Sequence, residues 1–168
     1  MTWRENPLLK DKFHQQYPDD IEAIVHEGFR ASTNEPEVVW IRITDMNGQL
    51  ITAELLNQPT YLHSFKAGTT YSFLLSASGK IIFVTPQYLK EISDWTFHAC
   101  EKCANDVLFD TPSKIQQIAF PNLPEGAVLQ TFTTFCPLCG SAVALESKDV
   151  DDDGGDERPA KKWYEFWK

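Results

Sequence analysis

The chain has 168 residues, of which 42% are hydrophobic, with 11 Phe, 5 Trp, 5 Tyr and a net charge of −9. This length suits one domain, or a domain with a small added module, and the apolar content is sufficient for a packed core. The acidic balance argues against general nucleic-acid binding, because phosphate contacts require Lys and Arg, and it favours a basic protein partner. No apolar run approaches the ~20 residues of a membrane helix, and residues 1–20 lack the apolar stretch of a signal peptide. We therefore expect a cytoplasmic protein without a membrane contact.

The first half of the chain predicts an antiparallel sheet. After an irregular or partly helical arm over residues 1–20, short apolar and β-branched runs alternate with turn signals. Asn47-Gly48 is the signal of a tight hairpin, and Ser78-Gly79 marks a second one. A short helix with Pro86 in its first turn follows at residues 86–93. The predicted sheet has four strands, 37–44, 49–56, 69–76 and 81–85, or five if the short apolar run 21–25 joins it.

From Trp95 onward the pattern changes to short strands around two cysteine pairs. Residues 111–126 hold three Pro and one Gly and predict a loop with a helical turn at 113–119. The predicted strands here are 95–100, 106–110, 127–135 and 141–146. The predicted parts are an antiparallel-sheet domain with its arm at 1–94, a zinc-ribbon-like module at 95–146, an acidic flexible linker at 147–160 and an aromatic tail at 161–168.

All four cysteines lie in two C-x-x-C pairs, Cys100/Cys103 and Cys136/Cys139. In a reducing compartment this arrangement favours metal binding over disulfides. A two-residue gap lets one tight turn present both sulfurs, and four thiolates at about 2.3 Å complete a tetrahedral zinc site. Gly140 permits a positive φ, which turns backbone N–H groups toward the sulfurs. We predict a structural zinc ion at these four residues.

Other chemistry fits the cysteine pattern less well. Neither pair sits between a strand and a long helix, as a redox C-x-x-C does, and four thiolates leave no open position for a catalytic zinc. His98 is interpreted as a strand residue and Asp19-Asp20 as a turn cap. The sequence lacks the local motifs of hydrolases, nucleotide-binding enzymes and metalloproteases, which favours a non-enzyme. A catalytic site assembled from distant residues stays open.

The C-terminal segment KKWYEFWK is the second unusual feature. Its aromatic residues recur at the 3–4 spacing of one helical face, between lysines. It either folds back onto its own domain, anchors a protein partner, or docks on a membrane surface. The candidate partner-binding residues are Trp163, Tyr164, Phe166 and Trp167.

Three stretches between residues 37 and 97 carry a family resemblance. They are EPEVVWIRIT, AELLNQPTYLHSFKAGTTYSF and EISDWTF. Together they resemble the YegJ-like family of small bacterial proteins of unknown function. The resemblance implies a small α+β domain with a strongly bent antiparallel sheet, in bacterial settings that include toxin–immunity gene pairs. The matching positions are Glu37, Trp40, Leu56, Asn57, Pro59, Gly68, Asp94 and Trp95.

These observations predict an α+β fold, a bent antiparallel sheet with few short helices plus a zinc-ribbon-like β module. The favoured function is a non-enzymatic immunity or inhibitor protein that blocks a basic bacterial toxin by acidic surface complementarity. The alternative is a zinc-ribbon accessory factor that docks on a larger complex through its aromatic tail. Trp40 is expected in the core, and Asn57 is expected to fix the turn at the strand end through its own backbone.

Overall fold

The computed structural model describes residues 2–30 and 32–149. Within these ranges a 3₁₀ turn at Trp3–Glu5 precedes eight strands and two α-helices. None of the described helices has the length and apolar character needed to cross a membrane. The elements are β1 (Asp20–Val25), β2 (Glu37–Asn47), β3 (Leu50–Leu55), β4 (Thr70–Leu75), β5 (Ile81–Phe83), α1 (Pro86–Ile92), β6 (Trp95–Phe97), α2 (Pro112–Ala119), β7 (Thr131–Phe135) and β8 (Ala142–Ser147).

The first five strands close into a barrel. Consecutive strands pair antiparallel. The predicted tight hairpin joins β2 to β3, but its two turn residues are Gly48 and Gln49, because Asn47 still pairs with Leu50. Strand direction alternates in such a meander, so β1 and β5 run the same way and close the ring as a parallel pair at Ile24 and Ile82. The strands agree with the sequence prediction, but they form a closed barrel, which differs from the predicted bent sheet. Closure leaves neither β1 nor β5 with a free edge.

Alternate residues of each strand fill the barrel. On β2, Val39, Ile41 and Ile43 are buried, with exposed fractions of 2% or less. Trp40 therefore points to the outside, where it is partly exposed and packs edge-on against His14 at 5.4 Å between ring centroids. The expectation that Trp40 lies in the core is wrong, because the period of two along the strand assigns the neighbouring positions to the interior.

Two polar side chains fasten the loop after β3 to β2. Asn57 Oδ1 accepts a hydrogen bond of 2.6 Å from the Trp40 N–H, so it bonds across to a neighbouring strand instead of to its own turn. The Glu37 carboxylate accepts three backbone N–H bonds from residues 60–62, at 2.6, 2.7 and 3.0 Å. These contacts give Glu37 and Asn57 structural roles.

Both helices begin with the same dipeptide. Thr85-Pro86 opens α1 and Thr111-Pro112 opens α2, with each threonine side chain capping a backbone N–H three residues later, at 3.1 and 3.2 Å. Proline suits the first helical position because that position needs no N–H partner. Both short helices agree with the sequence prediction.

Residues 106–110 do not form the predicted strand. Val107, Leu108 and Phe109 are buried in succession, so the segment lacks the alternation of a strand. The Leu108 N–H donates to the Tyr88 hydroxyl at 2.9 Å, in place of a ladder partner. The three residues are apolar because this irregular segment packs between α1 and the cysteine turns.

The second sheet has the order β6-β8-β7 and is antiparallel throughout. It shares a buried cluster with the outer wall of the barrel. On that wall Leu74, Ile82 and Ile24 lie side by side on β4, β5 and β1. Ile82 is fully buried in the same cluster as Cys100 and Cys136. The barrel therefore positions the cysteine turns through a common core.

Candidate metal centre

The four cysteines lie on two turns of the same design, CEKCAN (100–105) and CPLCGS (136–141). In each turn the fifth residue donates its N–H to the carbonyl of the first cysteine, at 2.7 and 2.8 Å. In each, the first cysteine donates its N–H to the carbonyl of the sixth residue, at 2.8 and 2.7 Å. The first turn follows β6, and the second joins β7 to β8. Two equivalent backbone loops thus face each other.

The fifth residue of each turn has a left-handed backbone. Gly140 has a φ of 76°, as its place after the cysteine pair predicted. Ala104 occupies the matching position with a φ of 59°, at a cost of about 1 kcal/mol that an L-residue pays in this region. Sequence reasoning missed the role of Ala104. The signal was available in the alignment of the two hexapeptides, which places Ala104 opposite Gly140.

The four Sγ atoms converge on one point. Cys100 and Cys139 are 3.4 Å apart at sulfur, Cys103 and Cys136 are 3.6 Å apart, and all four lie within 4.8 Å of one another. The corners of a tetrahedron with 2.3 Å metal–sulfur bonds are separated by about 3.8 Å. A disulfide brings its sulfurs to about 2.05 Å, far closer than any pair here. The spacing therefore fits four thiol groups around a metal ion.

Neighbouring donors affect the two partly exposed thiols differently. The Ser141 hydroxyl and N–H stabilise the thiolate of Cys139 and lower its pKa to about 6. Burial and the neighbouring thiols raise the pKa of Cys103 to about 12, and the Asn105 N–H opposes this rise. Four thiolates this close repel one another, and a divalent cation among them compensates their charge.

A buried amide fixes the first turn to the barrel. Asn105 is fully buried, and its Oδ1 accepts from the Ser76 hydroxyl at 2.9 Å, at the end of β4. Its Nδ2 donates to the Val107 carbonyl at 2.7 Å and contacts Cys136 Sγ at 3.7 Å. Beside it, the Asp106 carboxylate accepts from the Ala77 N–H at 2.8 Å. Sequence reasoning missed this network, because no local pattern links residues about 30 positions apart.

A second contact joins the barrel to the segment after the first turn. The buried Asp110 carboxylate accepts the N–H groups of Phe29 and Arg30, both at 3.0 Å. His26 stacks on Phe109 at 3.9 Å between ring centroids. Its Nδ1 accepts from the Gly28 N–H, so its Nε2–H donates to the Phe83 carbonyl at 2.8 Å. Burial lowers the pKa of His26 to about 4, which keeps this ring neutral.

The other candidate residues have structural partners away from the sulfurs. His98 faces Glu146 at 3.5 Å on the exposed surface of the module. Asp20 accepts two hydrogen bonds from Arg42, at 2.7 and 2.9 Å, and Asp19 pairs with Arg4. The interpretation of this acidic pair as a turn cap is therefore wrong. The predicted partner-binding residues Trp163, Tyr164, Phe166 and Trp167, and most of the predicted linker, lie outside the described residues.

Comparisons with protein-family models, with curated proteins and with solved structures gave no match for this chain. The resemblance to the YegJ-like family stays a prediction. The functional argument therefore rests on the cysteine centre, where four sulfurs lie close enough together to hold one metal ion.

Proposed function

We propose that this protein is a non-enzymatic binding protein whose fold is stabilised by a structural zinc ion at Cys100, Cys103, Cys136 and Cys139. The observation that carries the proposal is the convergence of four sulfurs from two matched turns. Four thiolates fill every position of a tetrahedral zinc ion and leave none for water or substrate. The ion therefore stabilises the module and takes no part in a reaction.

Zinc is favoured over iron on chemical grounds. A site of four thiolates accepts either metal, but divalent zinc binds more tightly than ferrous iron at a given set of ligands. Cys100 and Cys136 are buried and Cys103 and Cys139 are partly exposed, so an ion bound by all four would lie at the edge of the shared core. Metal bound there contributes its binding free energy to folding, because the ligands come together only in the folded chain.

The test is metal content together with its effect on folding. Purified protein is expected to contain one zinc per chain by elemental analysis, with no visible absorption from iron. A strong chelator is expected to lower the urea midpoint, and added zinc is expected to restore it. All four cysteines of the chain belong to the proposed site, so no cysteine outside it can be replaced as a control. The control is therefore the same protein, chelated and then reloaded with zinc. Protein that holds no metal, reacts freely at all four thiols and keeps its urea midpoint in chelator would overturn the proposal.

The charge of the described fold supports a basic protein as partner. Residues 1–149 carry 18 acidic and 11 basic side chains, a net charge of −7. Such an excess speeds association with a positively charged partner and disfavours acidic competitors. An immunity or inhibitor protein that covers a basic toxin fits this charge. The alternative, an accessory factor that docks on a larger complex through its aromatic tail, depends on residues outside the described ranges.

Gel filtration against the product of the neighbouring gene tests the binding role. We expect a complex at micromolar concentration whose association rate falls steeply with salt. The absence of any complex at that concentration, with metal-loaded and folded protein, would reject the immunity hypothesis. The zinc proposal would be unaffected by that result.

A further inference from the structure

A groove with an apolar floor lies between the two helices and the loop after α2. Its volume is about 510 Å³, and Trp95, Phe120 and Val128 line it. Phe120 is 38% exposed and Val128 is 65% exposed, which is unusual for large apolar side chains on one concave surface. Two carboxylates, Glu91 and Glu125, also line the groove. The groove therefore offers apolar contact next to negative charge.

The described chain ends at the rim of this groove. Ser147, the last residue of β8, pairs with Trp95 in the groove wall. The Lys148 N–H then donates to the Asp94 carbonyl at 2.9 Å, and its side chain donates to the Ser93 carbonyl at 2.8 Å. Residues 150–160 span at most about 40 Å when fully extended. The C-terminal segment 161–168 is therefore tethered within reach of the groove.

The C-terminal segment complements the groove in composition. Residues 161–168 carry three basic side chains and one acidic one, a net charge of +2, together with four aromatic residues. Residues 1–149 carry −7. Glu91 at the groove is ionised, because hydrogen bonds from Gln87 and Ser113 outweigh the effect of its burial and lower its pKa. A basic aromatic peptide fits an acidic apolar groove, whereas an acidic partner would be repelled.

We propose that the C-terminal segment of this chain, through Trp163, Phe166 and Trp167, occupies the groove lined by Trp95, Phe120 and Val128 in the same molecule. A short tether raises the local concentration of its end to the order of 1 mM, so an intrinsic dissociation constant of about 0.1 mM leaves the segment docked some nine-tenths of the time. The inference is independent of the zinc proposal, because it depends on the groove and on the charge of the two segments.

Chymotrypsin cleavage of the metal-loaded full chain tests the docking, because this protease cuts after the aromatic residues proposed as anchors. We expect cleavage within 163–167 to be about tenfold slower than in the free peptide 158–168, since proteolysis tracks the undocked fraction. Val128→Lys puts a long, charged side chain into the groove. We expect this variant to be cleaved at a rate close to that of the free peptide. Mass spectrometry of the shortened chain reports the rates.

Val38→Lys is the matched control. Val38 is 62% exposed, close to the 65% of Val128, but it lies on β2 of the barrel. We expect the control to keep the parental cleavage rate, and the protection to be independent of protein concentration. Cleavage of the parent at the peptide rate, or equal acceleration by both substitutions, would overturn the proposal. Protection that grows with concentration would also overturn it, because the segment would then occupy a second copy. Metal content, measured on the same samples, keeps these outcomes separate from the zinc proposal.

Discussion

Replacing Asn105 with alanine tests whether the barrel holds the first cysteine turn in place. The substitution removes the 2.9 Å bond from the Ser76 hydroxyl and the 2.7 Å bond to the Val107 carbonyl. Each neutral bond contributes about 1 kcal/mol, and the Val107 carbonyl left without this donor in the buried site adds another 1–3 kcal/mol or so. Ser76 keeps a second partner, Ser78, at 3.0 Å. We therefore expect a loss of about 3–5 kcal/mol in the free energy of unfolding.

Urea unfolding of the metal-loaded protein measures this loss, with the slope of the transition checked for constancy. Asn34→Ala is the matched control, because Asn34 is exposed and its side chain donates a hydrogen bond at the surface to Glu27. We expect the control to change stability by less than about 0.5 kcal/mol. If Asn105→Ala costs no more than Asn34→Ala, the amide does not fasten the turn to the barrel, and the reasoning from the network fails.

Three further predictions follow from single residues. Because burial lowers the pKa of His26 from 6.5 to about 4, the unfolded chain binds the proton first as pH falls, so about 3 kcal/mol of stability is lost between pH 6.5 and 4. His26→Gln should reduce the fall of the urea midpoint between pH 6.5 and 4. Replacing exposed His63 should leave that fall unchanged. Hydrogen bonds from residues 60–62 outweigh burial and lower the pKa of Glu37. The stability that the ionised Glu37 contributes is therefore lost only as pH falls below 4.5, the ordinary pKa of a glutamate. Glu37→Gln should cost about 1 kcal/mol at pH 7 by the same unfolding measurement, and an unchanged midpoint would contradict this role. Cys139→Ser should weaken zinc affinity by roughly a hundredfold or more in a chelator competition, and a fully metal-loaded, equally stable variant would remove Cys139 from the ligand set.

Local signals in the sequence were sufficient for most of the elements. Asn47-Gly48 located the first hairpin to within one residue, because Gly48 adopts the positive φ that its tight turn needs. The two Thr-Pro dipeptides each precede a helix, although the sequence prediction used only the first proline. The C-x-x-C pairs identified all four sulfurs, since each pair lies within one turn and needs no long-range information. These features depend on contacts between residues a few positions apart.

The features that sequence reasoning missed depend on contacts between distant residues. Barrel closure requires β1 and β5, about 58 positions apart at Ile24 and Ile82, to meet in a parallel pair. Nothing near either residue distinguishes a closed ring from an open, bent sheet. Trp40 was assigned to the core because it lies on a central strand, but its neighbours on β2 decide which face is inward. The run at 106–110 has strand composition, and only its packing against Tyr88 shows an irregular segment.

The shared core makes the metal centre a part of the barrel's stability. Ile82 closes the barrel with its backbone, while its side chain lies in the cluster that contains Cys100 and Cys136. β5 has only three residues, and a single residue pair joins it to β1. This β1–β5 junction, the seam of the barrel, therefore has the weakest backbone pairing of the ring. The module covers the seam from outside through Ile24 and Leu74. An ion bound at the four cysteines would join two turns across a 32-residue loop at little more closure-entropy cost than a short loop would carry, since that cost rises with the logarithm of length. A metal ion at the cysteine centre would thus stabilise the seam that the barrel's own hydrogen bonds support least.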